Sequence, residues 1–397
     1  MIRFLELVRK EARAILTDPV IMLTVLGGVV FYSFLYPLPY SGQVPREQPV
    51  GVVDLDGSVL SRQLTRWIDA TPELQVCARP GSIGEAEALV TRHELAGFVV
   101  IRENFRRDLL LGRPVHLAVA GDATFFLVYG AVAEGAATAA GTLGAQIKVG
   151  RLLASGQEIR LAARRWTSFG LNARPVFNTT LGYVNYVVPA VFLLILQQTL
   201  LIGLGVLGGT QNARRLRGER GYWMDHPAWQ VLTVRTLIFL GIYAVLFLYS
   251  TGFCFEYYGV PRHAAPGELL RLALPFLLAV IGLGTVLGQL LERRDLATQI
   301  VLFSSLPLVF TSGFVWPEHL VPAPLLALAA LVPSTPAIQA FLRLNQMGAD
   351  FSQIAPLWTQ LWVQAVVYGL LAWWLLRRNA RSAAGAVEGE TFSHSAR

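Results

Sequence analysis

Few groupings in this chain have residue types and spacing that suit chemistry, and those few fail on closer reading. His93-Glu94-Leu95-Ala96-Gly97 opens like the paired-histidine helix of zinc proteases, but Gly97 stands where the second histidine would be. Asp54-x-Asp56-Gly57 starts like a calcium loop and lacks the later ligands, so it reads as a turn. Cys77 and Cys254 are the only cysteines. Two make no disulfide framework; a bridge between them is conceivable if both lie near one membrane face, and two unpaired, partly buried thiols are the preferred reading. No Gly-x-x-x-x-Gly-Lys-Ser/Thr string occurs, so the chain cannot cradle nucleotide phosphates in the P-loop way. No metal site, no catalytic residue and no cofactor of its own is expected.

What remains is a set of polar side chains inside long apolar stretches: Asn185, Gln197, Gln198, Thr199, Gln289, Gln299 and Gln364. Polar groups at membrane depth mark transport paths. They also form interhelical hydrogen bonds, each worth under about 1–2 kcal/mol, and for any one residue this is the commoner role. The run Gln197-Gln198-Thr199 is the strongest path candidate, because three polar groups fall together in mid-stretch. Formal charge is nearly absent from the same stretches, which argues against a proton relay and a proton-driven carrier.

The elements that hold these residues follow from hydropathy. The 397-residue chain is 54% hydrophobic and 15% charged, which places it in the membrane class. Its net charge of +7 comes almost wholly from arginine, clustered beside apolar stretches, where it orients a membrane protein rather than binding nucleic acid. Against the roughly 20 residues that a spanning helix needs, six stretches qualify or nearly qualify: Val20–Leu38, Gly182–Leu207, Val231–Phe255, Leu269–Leu291, Gln299–Val315 and Leu357–Leu376. The fifth is the shortest and contains Pro307. The first reads as a permanent anchor rather than a cleaved signal, since Tyr36-Pro37-Leu38-Pro39 occupies the place of small cleavage-site residues.

Thirteen basic residues fall in one set of short segments (Arg3, Arg9, Lys10, Arg13; Arg214, Arg215, Arg217, Arg220; Arg293, Arg294; Arg377, Arg378, Arg381), against Arg262, Arg271 and Arg343 in the other. The positive-inside rule then puts both termini in the cytoplasm and the less apolar block, residues 41–181, outside. The expected architecture is an α-helical integral membrane protein with six transmembrane helices and a small α/β extracytoplasmic domain inserted between the first and second spans. Within it, residues 1–19 form a cytoplasmic amphipathic helix and residues 20–40 the first span. Residues 182–376 form a five-helix domain with a cytoplasmic loop at 208–230 and an external re-entrant segment at 317–336. Residues 377–397 are a cytoplasmic tail, disordered from Ser382.

From Ile2 to Leu16, Phe4, Val8, Ala12 and Ile15 share an apolar face widened by Leu5 and Leu16, with Glu6, Arg9, Lys10 and Arg13 opposite. Asp18-Pro19 ends the helix, which lies along the membrane surface. Glu11 projects near the apolar side; it either reaches the interface or, with Lys10, contacts a partner subunit. In the outer block, strands are expected at Gln48–Asp54, Leu74–Ala78, Gly97–Ile101 and Val115–Ala120. Helices lie between, the first capped by Ser58 and the second at Ile83–His93. An Ala-rich helix then runs from Thr124 to about Ser155 and returns the chain toward the membrane.

The order of these features resembles an ABC transporter permease of the type-2 export class, and more narrowly its bacterial branch with a large periplasmic insertion after the first span. The resemblance covers nearly the whole chain. It rests on Lys10-Glu11 and Asp18-Pro19, on Val52-Val53-Asp54-x-Asp56-Gly57-Ser58-x-x-Ser61-Arg62, on Phe177-Asn178 before the second span, and on Ser312-Gly313-Phe314-x-x-Pro317, Pro322 and Pro333-x-x-Pro336. Apolar pieces in that last stretch are too short to cross a bilayer, which suits helices that dip in from outside. One string departs from the family: where many relatives have Arg-Glu-x-Gly-Thr, this chain reads Arg217-Gly218-Glu219-Arg220-Gly221-Tyr222.

The resemblance implies a separate ABC ATPase subunit that carries ATP and Mg, a second permease subunit (identical or a paralogue), and a bacterial inner-membrane location. A periplasmic adaptor is compatible with it. Arg214, Arg215, Arg217, Glu219 and Arg220 would form the ATPase-coupling loop, although orientation alone could also explain the arginines. Export of an amphiphile fits an apolar path with amide side chains. The competing reading is a non-transporting membrane sensor or assembly protein whose outer domain binds a ligand or partner; it leaves five further spans without a purpose.

Overall fold

Asp18 separates the first two helices. Its Oδ1 accepts from the amides of Val20 and Ile21 at 2.9 and 3.3 Å, and Pro19 takes the first helical position, where no amide proton is needed. Helix α1 thus covers Ile2–Leu16 and α2 Pro19–Tyr40. The computed structural model describes residues 2–40, 45–156, 176–178 and 182–395. They fall into two units, Met1–Ser41 with Pro175–Arg397, and Gly42–Arg174.

The first unit is helical. After α1 and α2 its helices, numbered here with those of the second unit, are α7 (Val184–Leu216), α8 (Ala228–Tyr257), α9 (Pro266–Leu290), α10 (Arg294–Thr311), the bent pair α11 (Ala323–Ala329) and α12 (Ser334–Gln346), and α13 (Phe351–Arg381). Helix α7 is the centre, buried along nearly its whole apolar length, with α9, α10 and α12 packed on it. Glycine makes that approach possible: a Cβ at Gly208 would lie 2.6 Å from the Gly288 backbone, and one at Gly205 2.5 Å from the Ala297 Cβ. Small residues at such crossings let dispersion contacts form where lipid offers no hydrophobic drive. Asn212, one turn on, donates from Nδ2 to the carbonyls of Gly288, Gln289 and Leu291 at 3.0, 2.9 and 2.9 Å and so closes the end of α9.

The set of long apolar helices differs in one member from the expected six. Most of the stretch Gln299–Val315 folds in α10, whose 18 residues reach about 27 Å at the α-helical rise, at the short end of the range for a spanning helix. Arg294 and Asp295 in its first turn dilute its hydropathy, and it is not among the six helices long and apolar enough to cross. The sixth member is instead α6 (Phe126–Ala154), in the second unit. Helices α11 and α12 are bent by 93° at their junction, as a broken span or a re-entrant loop would be. Pro322 and Pro333 are the residues that precede each, and Gly313, at φ +82°, ends the α10 segment. Past Arg381 the last helix continues to Ser395, across residues expected to be a disordered tail. With no proline there, an already nucleated helix extends through Ala383, Ala384 and Ala386.

The second unit carries β1 (Gln48–Asp54), α3 (Val59–Asp69), β2 (Leu74–Ala78), α4 (Ile83–Thr91), β3 (Gly97–Ile101), α5 (Phe105–Leu110), β4 (Ala118–Gly121) and α6. Strand order is β2-β1-β3-β4, with β1 parallel to both neighbours and β4 antiparallel to β3. Alternation sorts the two central strands between two cores. Val50, Val52, Val99 and Ile101 pack with Leu64, Ile68, Phe105 and the α6 residues Val132, Ala136 and Leu143. Val53, Phe98 and Val100 pack with Ala86 of α4 on the other face. Strands buried on both faces read as near-continuous Val/Ile runs for this reason. Ser58 caps α3, accepting from the Ser61 amide at 3.1 Å. Asp54 is a turn-former: Oδ1 accepts from the amides of Asp56 and Gly57 and Oδ2 from the Ser61 hydroxyl at 2.7 Å. Cys77 is exposed and Cys254 buried, and both are free thiols.

Candidate functional site

The most concentrated polar chemistry lies where α1, α7, α8 and the segment after α7 meet. Glu11 and Arg235 are both fully buried, with Arg235 Nε donating to Glu11 Oε1 at 2.7 Å. Arg235 Nη2 donates to Gln211 Oε1 at 2.9 Å, Gln211 Nε2 donates to the Tyr222 hydroxyl at 3.3 Å, and Tyr222 donates to Glu11 Oε2 at 2.5 Å. The four side chains form a closed ring of charge-assisted and neutral hydrogen bonds. Among the described residues only Arg235 Nη1 in this ring has no partner. Burial and the adjacent Glu11 carboxylate hold the Tyr222 phenol far above its usual range, with Arg235 acting against them, so Tyr222 serves as a donor to Glu11 at any physiological pH.

Each member arrives by a local rule. Leu7, Glu11 and Ile15 lie on one stripe of α1 and are all fully buried, with Phe4 and Val8 packed beside them. The buried face is therefore centred on Glu11, while Leu5 and Leu16, expected to widen that face, are 71% and 53% exposed. The Glu11–Arg235 pair explains the rotation, because a carboxylate can enter an apolar face only against a cation. Glu11 accordingly neither reaches the interface nor remains free for a partner subunit, and Lys10 pairs on the surface with Glu6 at 2.6 Å. Arg235 sits two turns into α8, and Gln211 sits in the last two turns of α7.

The segment between α7 and α8 carries two surface ion pairs, Arg217–Glu219 at 2.9 Å and Arg220–Asp225 at 3.5 Å. Of the five charged residues expected to form the ATPase-coupling loop, Arg217 and Glu219 are thus paired with each other. Arg214 faces a cleft of about 540 Å³, lined also by Lys10, Arg13, Asp18, Tyr222 and Trp223. Arg215 is half-buried with its Nε unpartnered among the described residues.

The polar residues expected along a path do not converge. Gln197 donates from Nε2 to Ser334 Oγ at 2.9 Å and accepts from the Ser334 amide at 2.6 Å, fastening the start of α12. Thr199 accepts from the Tyr243 hydroxyl at 2.9 Å on α8. Gln198 between them has neither amide atom paired among the described residues. Consecutive helical residues project about 100° apart, so the run Gln197-Gln198-Thr199 serves three directions. Gln289 accepts from Asn379 at 3.1 Å, Gln364 donates to the Ala330 carbonyl at 2.7 Å, Asn185 donates to Asn178 Oδ1 at 3.1 Å, and Gln299 is exposed. In the stretch expected to be re-entrant, Ser312 is buried and donates to the Leu308 carbonyl, while Pro317 precedes a single turn, Glu318–Leu320, and Pro336 lies in the first turn of α12.

Arg235 was not singled out by sequence reasoning, although it lies inside the expected span Val231–Phe255. The available signal was Glu11, a carboxylate on an apolar face, which demands a buried cation elsewhere. Comparison with known proteins bears on the same region. A family model described as ABC-2 family transporter protein matches residues 19–374. No curated protein matches the chain. The match begins at Pro19, so Glu11 lies outside it and its partners Gln211, Tyr222 and Arg235 lie inside.

Proposed function

The chain belongs to the ABC-2 transporter family, and we propose on that premise that it is the membrane-spanning half of an ATP-driven exporter of an amphiphile. As a multi-pass permease subunit of an ABC transporter, it relies for ATP hydrolysis on a separate ABC ATPase subunit, which carries ATP and Mg. In the proposed arrangement a second permease completes the pathway, both termini face the cytoplasm of a bacterial inner membrane, and the Gly42–Arg174 unit faces the periplasm.

The observation that carries the coupling part of this reading is the buried ring. Tyr222 lies in the segment between α7 and α8, and through Glu11, Gln211 and Arg235 it is tied to α1, α7 and α8. A push on that segment by a closing ATPase pair cannot move it alone, because separating any member strands a buried charge or phenol. Motion is therefore handed to α7, the most buried helix of the unit. The cleft beside the ring, bordered by Lys10, Arg13 and Arg214 with Asp18, gives a polar surface for the ATPase to seat on.

The test is neutralisation of Arg217, Glu219 and Arg220 together in the chain co-purified with its ATPase. These side chains are exposed, so folding survives. Expected is weakened ATPase retention or loss of permease-dependent stimulation of ATP hydrolysis. Retention and stimulation equal to the unaltered complex would remove this segment from the coupling role.

A further inference from the structure

The Gly42–Arg174 unit holds a cleft that the export reading does not use. It lies between α3, α5, the 112–117 segment and α6, with a volume of about 250 Å³. Its apolar wall is the half-buried set Leu109, Val115, Leu117 and Ile147, set over the buried core residues Leu64, Phe105 and Leu143. Its mouth carries three cations: Arg113, Lys148 and Arg151. Arg113 is committed to Asp108 at 3.5 Å, an aspartate that also meets Arg107. Lys148 and Arg151 have no ion-pair partner among the described residues. Arg151 lies across Gly112, a glycine at φ +75° where any Cβ would overlap the guanidinium, so the left-handed turn at Gly112 opens the space that the arginine occupies.

We propose that this cleft binds a single-chain anionic amphiphile, with its chain against the Leu109/Val115/Leu117/Ile147 wall and its carboxylate or phosphate head at Lys148 and Arg151. An apolar wall under a cationic mouth matches that ligand at both ends: the wall takes the chain out of water, and the two cations give charge-assisted hydrogen bonds to the head. Neutral amphiphiles leave the cations unanswered, and small anions leave the wall bare. Size narrows the class further. Pockets that enclose drug-sized molecules run from about 300 to 1,000 Å³, so a 250 Å³ cleft takes one chain segment and excludes paired chains or fused rings. The inference holds whether or not the chain exports anything, because it rests on the Gly42–Arg174 unit alone.

The test uses the full chain in nanodiscs of zwitterionic lipid, with a diazirine-bearing fatty acid as probe and peptide mass spectrometry to map adducts. Expected are adducts on α5 and α6 at the cleft, competed by dodecanoate and by dodecyl phosphate but not by dodecanol. Stronger competition by one of the two anions identifies the head group. The exposed pair Lys148→Glu/Arg151→Glu should cut cleft labelling by about tenfold, the equivalent of one lost charge-assisted contact, and leave labelling of the membrane helices and the thermal midpoint unchanged. No cleft adduct, equal competition by dodecanol, or undiminished labelling in the double variant would each overturn the proposal.

Discussion

Replacing Glu11 with methionine tests how the buried ring holds the first unit together. The substitution removes both acceptors at once, the one 2.7 Å from Arg235 Nε and the one 2.5 Å from the Tyr222 hydroxyl. Arg235, with no exposed surface, then keeps only the Gln211 carbonyl. Removing one partner of a buried pair costs about 3–5 kcal/mol, mostly the desolvation of the charge left behind. At roughly 2–4 °C per kcal/mol for a body of this size, the thermal midpoint should fall by roughly 6–20 °C. Arg235→Met should cost a similar amount by stranding the carboxylate. The double variant Glu11→Met/Arg235→Met is the informative one. Two apolar residues of similar volume leave no charge uncompensated, and Tyr222 and Gln211 can still bond each other, so it should be more stable than either single variant. The assay is heat-induced loss of the monodisperse peak for the four proteins in one detergent. Single variants within about 1 kcal/mol of the parent, or a double variant as unstable as the two singles combined, would refute the reasoning.

Other expectations follow from the same contacts. Asn212→Ala removes the one donor shared by three carbonyls at the end of α9 and should cost about 1–3 kcal/mol in the same assay. Gly208→Ala, whose Cβ would press on the Gly288 backbone, should lower the yield of folded protein, while Gly241→Ala, with nothing within 4 Å, should leave it unchanged. Gln198→Leu should be neutral or stabilising because neither amide atom is paired among the described residues; a loss of transport without loss of stability would instead place Gln198 on the substrate path. The raised Tyr222 phenol contributes stability that is fully present below the ordinary tyrosine range near pH 10 and is lost as pH rises further. Tyr222→Phe should flatten that part of the alkaline stability profile.

Much of the Gly42–Arg174 unit was legible because its signals are local. Val50, Val52 and Val53 beside the Asp54–Ser58 turn give a strand, a turn and a capped helix within a few residues, and the structure forms each there. Which strands pair was not legible, since the order β2-β1-β3-β4 depends on contacts distant in sequence. In the membrane unit, hydropathy found the long helices, and most of the stretch Gln299–Val315 lies in a helix that starts earlier and takes in Arg294 and Asp295. The polar run at 197–199 looked like one cluster in sequence, and helical geometry splits it between Ser334, Tyr243 and no partner. The ring was half legible: Glu11 stood out on an apolar face, but its cation lies 224 residues away, beyond the reach of any periodicity.

The most direct test of the permease assignment is a pull-down of the tagged chain from its native membrane in gentle detergent, with subunit stoichiometry by mass spectrometry. The expected result is an ABC ATPase at one copy per permease, with a second permease, identical or paralogous, in the same complex. Recovery of the chain without any ATPase, under conditions that keep a control transporter whole, would contradict the exporter and leave the Gly42–Arg174 unit as the seat of function.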